Sequence, residues 1–512
     1  MRDTQAIHAS WWDQFQFLLL GLHDFLSKLI CRSYRSFLWE FRWLSPRYMA
    51  WTSCIRARRA LHYAVKNVLA YAKFLTDHDI ANGKMLETDK DSYIKAFPVE
   101  ERCVGGRLPA GGAMIDESSG STGLPYNWVR SLQERLESHL FISYFATYCY
   151  GSDPWITINA FSMGAWATGL NMGLALQRNS IVKNTGPDIA KILSTLAFFG
   201  PRYTYLILGY PPFLKHLIDV AETEKFPLDK YCLNGLVGGE GMSEGLRDYL
   251  LRYFKKVYSG YGATDIEIGI AGETPLSVAV RRLAREDPAV REKLFGHDSR
   301  LPMLFQYNPL MHHVEVNENR ELIFTITRLS LLSPRICYNV HDEGGITRYD
   351  EMTEALESVG YSIKDLAKQT GCRPIRLPFL WVYGRRDYTI SVMGANIYPE
   401  DIEQCLYANP DLARITNSYC LFLSDGLQGE ARPCFNFEIT IEPDSTIENK
   451  FRNVMLEELI RINADYREAF KEYPETMVPE IRLYGLGEGP FAGDEGKIKQ
   501  VRVLKKHESM TA

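Results

Sequence analysis

At about 150 residues per domain, the 512-residue chain has room for two to four structural units rather than one small module. Apolar residues make up 46%, and the net charge of −5 argues against an obligate nucleic-acid binder, which usually carries a basic domain. Ten cysteines, scattered singly, exclude a disulfide framework and a zinc cluster of short paired spacings, and read as mostly reduced, buried thiols of a cytoplasmic protein.

In chain order, the longest early apolar run is Phe17 to Leu22, far short of the roughly 20 residues a membrane span needs. Asp13 and Asp24 flank it and no small-residue cleavage site follows, so neither a transmembrane segment nor a signal peptide is expected. Cys31 to Ala60 carries seven arginines against the single acid Glu40, with Trp39, Trp43 and Trp51 interleaved. Such a segment can lie on an anionic membrane or grip a protein. The plainer expectation is a helical cover whose tryptophans pack on the main body. Residues 1–100 are read as this helical N-terminal segment.

From about residue 129, helix and short strand alternate. Leu132, Leu136 and Leu140 recur at helical spacing, as do Phe213, Leu214, Leu217, Ile218 and Ala221. Glycine-bounded apolar runs lie between: Cys232 to Val237 before Gly238-Gly239, and Val257-Tyr258 before Ser259-Gly260. Strand, glycine turn and helix in repetition are the α/β signature, assigned to a large domain over 101–386. A smaller α+β unit follows over 387–512. It reads as a helix (Pro399 to Tyr407), strands around Tyr419 to Leu423 and Phe435 to Ile441, one long helix (Ile447 to Phe470), and a strand from Ile481.

Three segments carry chemistry. Ser118-Ser119-Gly120-Ser121-Thr122-Gly123-Leu124-Pro125 offers hydroxyls and unobstructed backbone N–H groups for phosphate oxygens, although such runs are more often surface loops. Gly384-Arg385-Arg386-Asp387 and then Gly394-Ala395-Asn396-Ile397-Tyr398-Pro399 with Glu403 sit where the two units join. They read either as a nucleotide contact and pivot or as a surface turn with a good helix start. Gly496-Lys497 near the end is uninformative alone.

In this order, the segments resemble the acyl-adenylate-forming ligases, the superfamily of acyl-CoA synthetases, adenylation domains and luciferases, and most of all its phenylacetate–CoA ligase branch. Gly238-Gly239-Glu240 matches that branch's adenine-side loop, and Tyr261-Gly262-Ala263-Thr264-Asp265 falls at the family's Tyr-Gly-x-Thr-Glu. Tyr338-Asn339-Val340-His341-Asp342 falls at its Tyr-x-x-Gly-Asp. The resemblance covers residues 118 to 502.

It implies a large N-terminal α/β adenylate-forming domain with a small mobile C-terminal α+β domain. It also implies a ligase that activates a carboxylic acid with ATP and Mg2+, releases pyrophosphate, and passes the acyl group to coenzyme A. Ser118, Ser119, Gly120, Ser121, Thr122 and Gly123 would hold the β- and γ-phosphates. Glu240 and Tyr261 would frame the adenine, with Gly239, Gly262 and Ala263 also binding ATP, Thr264 at the α-phosphate, Asp342 on the ribose and Arg385 on the nucleotide side. Lys497 would bridge the acid and the α-phosphate, where charge develops. Asp265 would position magnesium, a hard cation that prefers carboxylate oxygen. Asp387 would be the hinge, and Gly394 with Asn396 would line an acceptor tunnel.

Departures accompany the matches. Leu124 stands where relatives often have lysine, Asp265 where they have glutamate, Cys337 where they have arginine, and His341 where they have glycine. Glu267 is a candidate to share the role of Asp265. Phe161, Met163 and Trp166 could wall an aromatic acid or could be core. Adjacent His312 and His313 point to opposite faces of a strand and are not a metal pair. Two alternatives to the coenzyme A ligase stay open. One is an adenylating enzyme that serves an amine, a carrier-protein thiol or an unusual oxyanion acid such as nitrite. The other is a catalytically weak nucleotide-binding protein. The acid itself and homodimer formation are likewise left open.

Overall fold

Eleven strands form one mixed sheet and three later strands form another. The computed structural model describes residues 10–30, 33–78, 86–117, 126–298, 300–385, 390–393, 395–425, 431–492 and 502–504. One side of the large sheet is parallel: Ile181–Asn184, Trp155–Asn159, Thr204–Gly209, Cys232–Gly238 and Phe254–Ala263 lie in that order. Helices Ala167–Leu176, Ile189–Phe199, Pro211–Thr223 and Glu244–Leu250 connect them. All five residues of Trp155–Asn159 are buried, as a parallel strand covered on both faces requires. The sheet then continues antiparallel through Glu267–Gly272, Met303–Tyr307, Phe379–Arg385, Tyr338–Thr347, Glu321–Ile326 and His312–Val316. The alternation expected from the sequence is present, and the strand marked by Val257-Tyr258 runs from Phe254 to Ala263.

Helices Pro46–Asn67 and Leu69–Asp77 place Leu61, Ala64, Tyr71 and Phe74 in the same core as Ile158, Ile207 and Phe324 of the sheet. The helix Leu132–Tyr150 also forms where expected, with the start of its leucine repeat on the solvent side. Leu132 and Leu136 are exposed, whereas Glu134, Arg135, Ser138 and His139 are buried. The inward face serves polar backbone instead. Ser138 Oγ donates to the Ile268 carbonyl (3.1 Å), and Glu134 accepts from the Leu332 amide (2.8 Å).

The smaller unit packs its own core, including Ile402, Phe435, Phe437, Phe451 and Met455. Strand Thr416–Asp425 pairs antiparallel with Ala431–Ile439, which pairs parallel with Glu480–Tyr484. The single long helix expected from Ile447 is two, Ser445–Ile462 and Ala464–Glu472. Asn463 breaks them with extended backbone. Its Oδ1 accepts from the Tyr466 amide (2.9 Å), and its Nδ2 donates to the Asn396 carbonyl and to Asp401 Oδ2 (both 2.8 Å).

The N-terminal tryptophans do not pack on the main body: Trp39, Trp43 and Trp51 are all more than half exposed. Phe37 and Phe41 fill the inward positions of their helix, Tyr34–Trp43, and leave the tryptophans outside. Among the described residues, no helix is long and apolar enough to cross a membrane, and nine cysteines are free thiols, six of them buried.

Candidate active site

Strand Cys232–Gly238 ends in two glycines because the backbone there admits no side chain. Gly239 has φ +85°, and a Cβ on it would lie 2.6 Å from Tyr210 Cε1. A Cβ on Gly238 would lie 3.0 Å from the Gly260 carbonyl oxygen. The tight turn delivers Glu240 to the wall of a cavity of about 1980 Å3. That cavity opens where the parallel strands end, the position at which open α/β sheets bind ligands. Gly239, Glu240, Tyr261, Gly262, Ala263, Thr264, Asp265 and Asp342 all line it. These residues come from three separated stretches of sequence.

Tyr261 and Asp342 are joined directly: the phenol donates to Asp342 Oδ2 at 2.6 Å. The ring of Tyr261 sits 5.7 Å from that of Phe305 and 6.2 Å from that of Phe324, so the carboxylate is steered by a packed aromatic. Asp342 pairs in register with Arg385 across the antiparallel ladder. His341, where the resemblance expects glycine, keeps a left-handed backbone, φ +61°. For a residue with a Cβ this costs about 1–2 kcal/mol. Its amide donates to Asn339 Oδ1 (2.7 Å), and its imidazole lies 3.3 Å from Glu321 and 3.5 Å from Asp89.

The turn carrying Thr264 and Asp265 is held by two arginines that sequence reading missed. Arg130 donates to the carbonyls of Thr264 and Ile266 and, at 3.0 Å, to Asp116 Oδ2. Arg335 donates to the Asp265 carbonyl at 2.8 Å. Burial, with repulsion from Arg130, lowers its guanidinium to about 10. Thus an arginine is present two residues before Cys337, whose own thiol is buried and pushed up to about 12. Tyr338 donates to Asp265 Oδ2 at 2.9 Å. Asp265 therefore offers a fixed carboxylate at the cavity wall, a donor of the kind magnesium uses alongside substrate phosphates.

Glu267 does not share that role. It is buried against His312 Nε2 and Arg328 Nη2 and is absent from the cavity wall. Burial works against its charge, yet Arg328 and His312 hold the carboxyl at about 2. His313 turns the opposite way and meets Ser53 Oγ at 3.0 Å. Among the described residues, no group of three or more His, Cys, Asp or Glu is placed to hold a metal ion.

Phe161 and Trp166 also line the cavity, and Phe161 meets Tyr210 edge-to-face at 5.3 Å. Met163 lies against Gly186 instead and is not on the wall. Ser118 to Pro125, Asp387, Gly394 and Lys497 fall outside the described residues. Their flanks are placed. Glu117, last residue of the strand Ala113–Glu117, lines the cavity and pairs in register with Asn127. Asn396 is off the wall, with its side chain on Ser391 Oγ.

The smaller unit closes one side. Glu403 Oε2 accepts from the Ser243 amide at 3.1 Å, and Tyr407 packs so closely that a Cβ on Gly245 would lie 2.7 Å from its own Cβ. Burial raises the Glu403 carboxyl to about 7 against the pull of nearby Arg502. Arg502, also missed in sequence, lines the cavity with its guanidinium 4.0 Å from the centre of the Tyr419 ring. It is brought there because Leu421 pairs with the segment 502–504, its amide donating to the Arg502 carbonyl at 2.8 Å.

No family model and no curated protein matches the sequence. Solved structures do match. A 2-hydroxyisobutyryl-CoA ligase in the postadenylation state, in complex with R3-HIB-AMP, aligns over 92% of this chain and 93% of its own with a TM-score of 0.65 at 12% identity. The chain shares the fold of this ligase, a large domain followed by a smaller one. The same ligase in complex with 2-HIB-AMP and CoA aligns less closely, with a TM-score of 0.52 in the thioesterification state and 0.51 in an open conformation, each at 13% identity. These cover 91% and 90% of this chain, and each covers 91% of the matching chain.

Proposed function

We propose that the chain is an ATP-dependent acid–thiol ligase of the phenylacetate–CoA ligase kind, which forms an acyl-adenylate and then an acyl-CoA. The observation that carries this reading is the Tyr261–Asp342 pair beside the Gly238-Gly239-Glu240 turn, a place for a ring and a ribose at the ends of parallel strands. On this reading, Asp342 accepts from the ribose hydroxyls while Tyr261 and Glu240 frame the base. Asp265, oriented by Tyr338, would hold the magnesium, which would supply positive charge to the phosphates. Ser118 to Gly123 are assigned to the phosphates and Arg385 to the nucleotide side. Phe161, Trp166 and Tyr210 give the acid side an apolar, aromatic wall.

Lys497 is assigned to adenylation. Arg502 stands on the cavity wall five residues beyond it, and five residues of chain reach at most about 18 Å. The better match to a postadenylation structure than to thioesterification and open ones supports an arrangement close to adenylate formation, with Asp387 as hinge and Gly394 and Asn396 turned to the acceptor later. The test is acid-dependent exchange of labelled pyrophosphate into ATP across a panel of aromatic and aliphatic acids. Exchange supports the reading. Release of ADP and phosphate means attack at the γ-phosphorus and refutes it.

A further inference from the structure

The helix Trp11–Ile30 is amphipathic in the inverted sense: its polar face looks inward. Asp13 is 3.2 Å from Arg58, and Asp24 is paired with Arg56 and, at 2.9 Å, with Arg59, all on helix Pro46–Asn67. Gln16 and Leu20 are buried between these contacts. The outward face is therefore apolar. Trp11 (77% exposed), Phe15, Leu18 (71%), Leu22 and Phe25 (60%) follow one stripe at helical spacing. Trp12 and Leu19 widen it. No charged side chain interrupts it between Ser10 and Phe25, because both acids of that stretch point inward. From Trp11 to Phe25 the stripe is about 21 Å long.

The surface continues onto the third helix, and the second carries exposed tryptophans of its own. Tyr48 lies 6.1 Å from His23 and 6.0 Å from the exposed Trp51, bridging the first helix to the third. On Tyr34–Trp43, Arg35, Trp39 and Trp43 share the outer face at four-residue spacing. Arg42 beside them donates to the Arg373 carbonyl, which leaves its charge unneutralised. Residues 11–67 hold nine Lys and Arg against three Asp and Glu, in a chain whose net charge is −5. The local charge is thus opposite in sign to that of the molecule.

We infer that this face docks on an anionic lipid bilayer, with the Trp11–Phe25 stripe buried at the headgroup–acyl boundary. Two features select this occupant. Bulky apolar side chains on one helix face, without charge among them, fit the interfacial zone, where Trp and Phe partition well. The excess of Lys and Arg over Asp and Glu in residues 11–67 supplies attraction to acidic headgroups. A protein partner would be expected to meet a polar rim with hydrogen-bonding side chains around the apolar centre.

The test is co-sedimentation of the full chain with vesicles of phosphatidylcholine, alone or with one-third phosphatidylglycerol. The chain should bind the acidic vesicles roughly tenfold better than the neutral ones, and salt at about 1 M should remove most of that difference. The triple variant Trp11→Gln, Leu18→Gln, Leu22→Gln should lower partitioning by about a hundredfold with its melting temperature unchanged, since all three side chains are exposed. In the wild-type chain, brominated lipids should quench tryptophan emission, a readout that needs no variant. Absence of binding to acidic vesicles, or equal binding by a folded triple variant, overturns the proposal. A self-associated chain that the triple variant dissociates, without vesicle binding, also overturns it and assigns the face to a second copy.

Discussion

Replacing Tyr261 by Phe removes one oxygen and leaves the aromatic packing in place. The lost interaction is a neutral O–H donating to a carboxylate at 2.6 Å. Hydrogen bonds to charged groups contribute about 1.5–3 kcal/mol. Asp342 is half-buried and can recruit water, which sets the effect near the lower end. In the variant the Asp342 carboxylate loses the phenol contact that orients it toward a ribose. An affinity loss of about 1.5 kcal/mol is tenfold in the dissociation constant. Titration calorimetry with ATP on wild type, Tyr261→Phe and Asp342→Ala should therefore show about tenfold weakening for the first and more for the second. Urea unfolding should move by less than about 1 kcal/mol for Tyr261→Phe, because the ring stays packed. If the ATP affinity of Tyr261→Phe stays within about twofold of wild type, the phenol does not orient a nucleotide-binding carboxylate.

Gly239→Ala places a Cβ at φ +85° against Tyr210 and should cost more than about 2 kcal/mol in stability, with loss of pyrophosphate exchange; a fully stable, active variant would show that the turn can reshape. Lys497→Ala should slow adenylation by roughly a hundred- to thousandfold yet still consume a supplied acyl-adenylate, whereas Gly394→Leu should do the reverse; a shared loss of both half-reactions would dismiss the division of labour. The Glu403 carboxyl, near 7 when buried against Ser243 and near 4.5 when free, binds more protons in the closed, folded form, so closure weakens as pH rises from about 4.5 to 7. That difference amounts to about 3 kcal/mol, and Glu403→Gln should flatten the pH dependence of thermal stability; an unchanged slope would refute the assignment. Asn463→Ala removes a helix cap and two buried donor contacts and should lower unfolding stability by about 2–4 kcal/mol, measured in urea.

What could be read from the chain alone was whatever leaves a local mark. Gly238-Gly239 was visible because the turn tolerates no side chain, and Asp342 because it sits in a short ordered motif. The alternation of glycine-bounded runs with helical repeats was enough to place two of the parallel strands, Cys232–Gly238 and Phe254–Ala263, and left Trp155–Asn159, Ile181–Asn184 and Thr204–Gly209 unread. The supporting shell was invisible. Arg130 and Arg335 reach Thr264 and Asp265 across well over a hundred and about seventy residues of chain respectively, and an isolated arginine has no spacing to betray it. Glu267 looked available only because its partners, His312 and Arg328, lie far ahead in sequence. The Leu132 repeat fixes the helix and not which side meets the core; there Ser138 and Glu134 face inward to meet the Ile268 carbonyl and the Leu332 amide. Asn463 was overlooked since one polar residue in an otherwise helical run is common, and its break depends on Asn396 and Asp401 from another element.

The segment 502–504 lies along Leu421, on the strand that forms the outer margin of the three-stranded sheet. Its removal would bare the amide and the carbonyl of Leu421, on a strand whose inward side chains are apolar. Such a margin invites pairing with another chain. Trimming the chain shortly after Lys497 would then yield protein that clumps, even with every proposed catalytic group retained. A shortened variant that is inactive and insoluble would report a naked strand rather than missing chemistry, and a short peptide spanning 500–506, added during refolding, should restore solubility before it restores anything else.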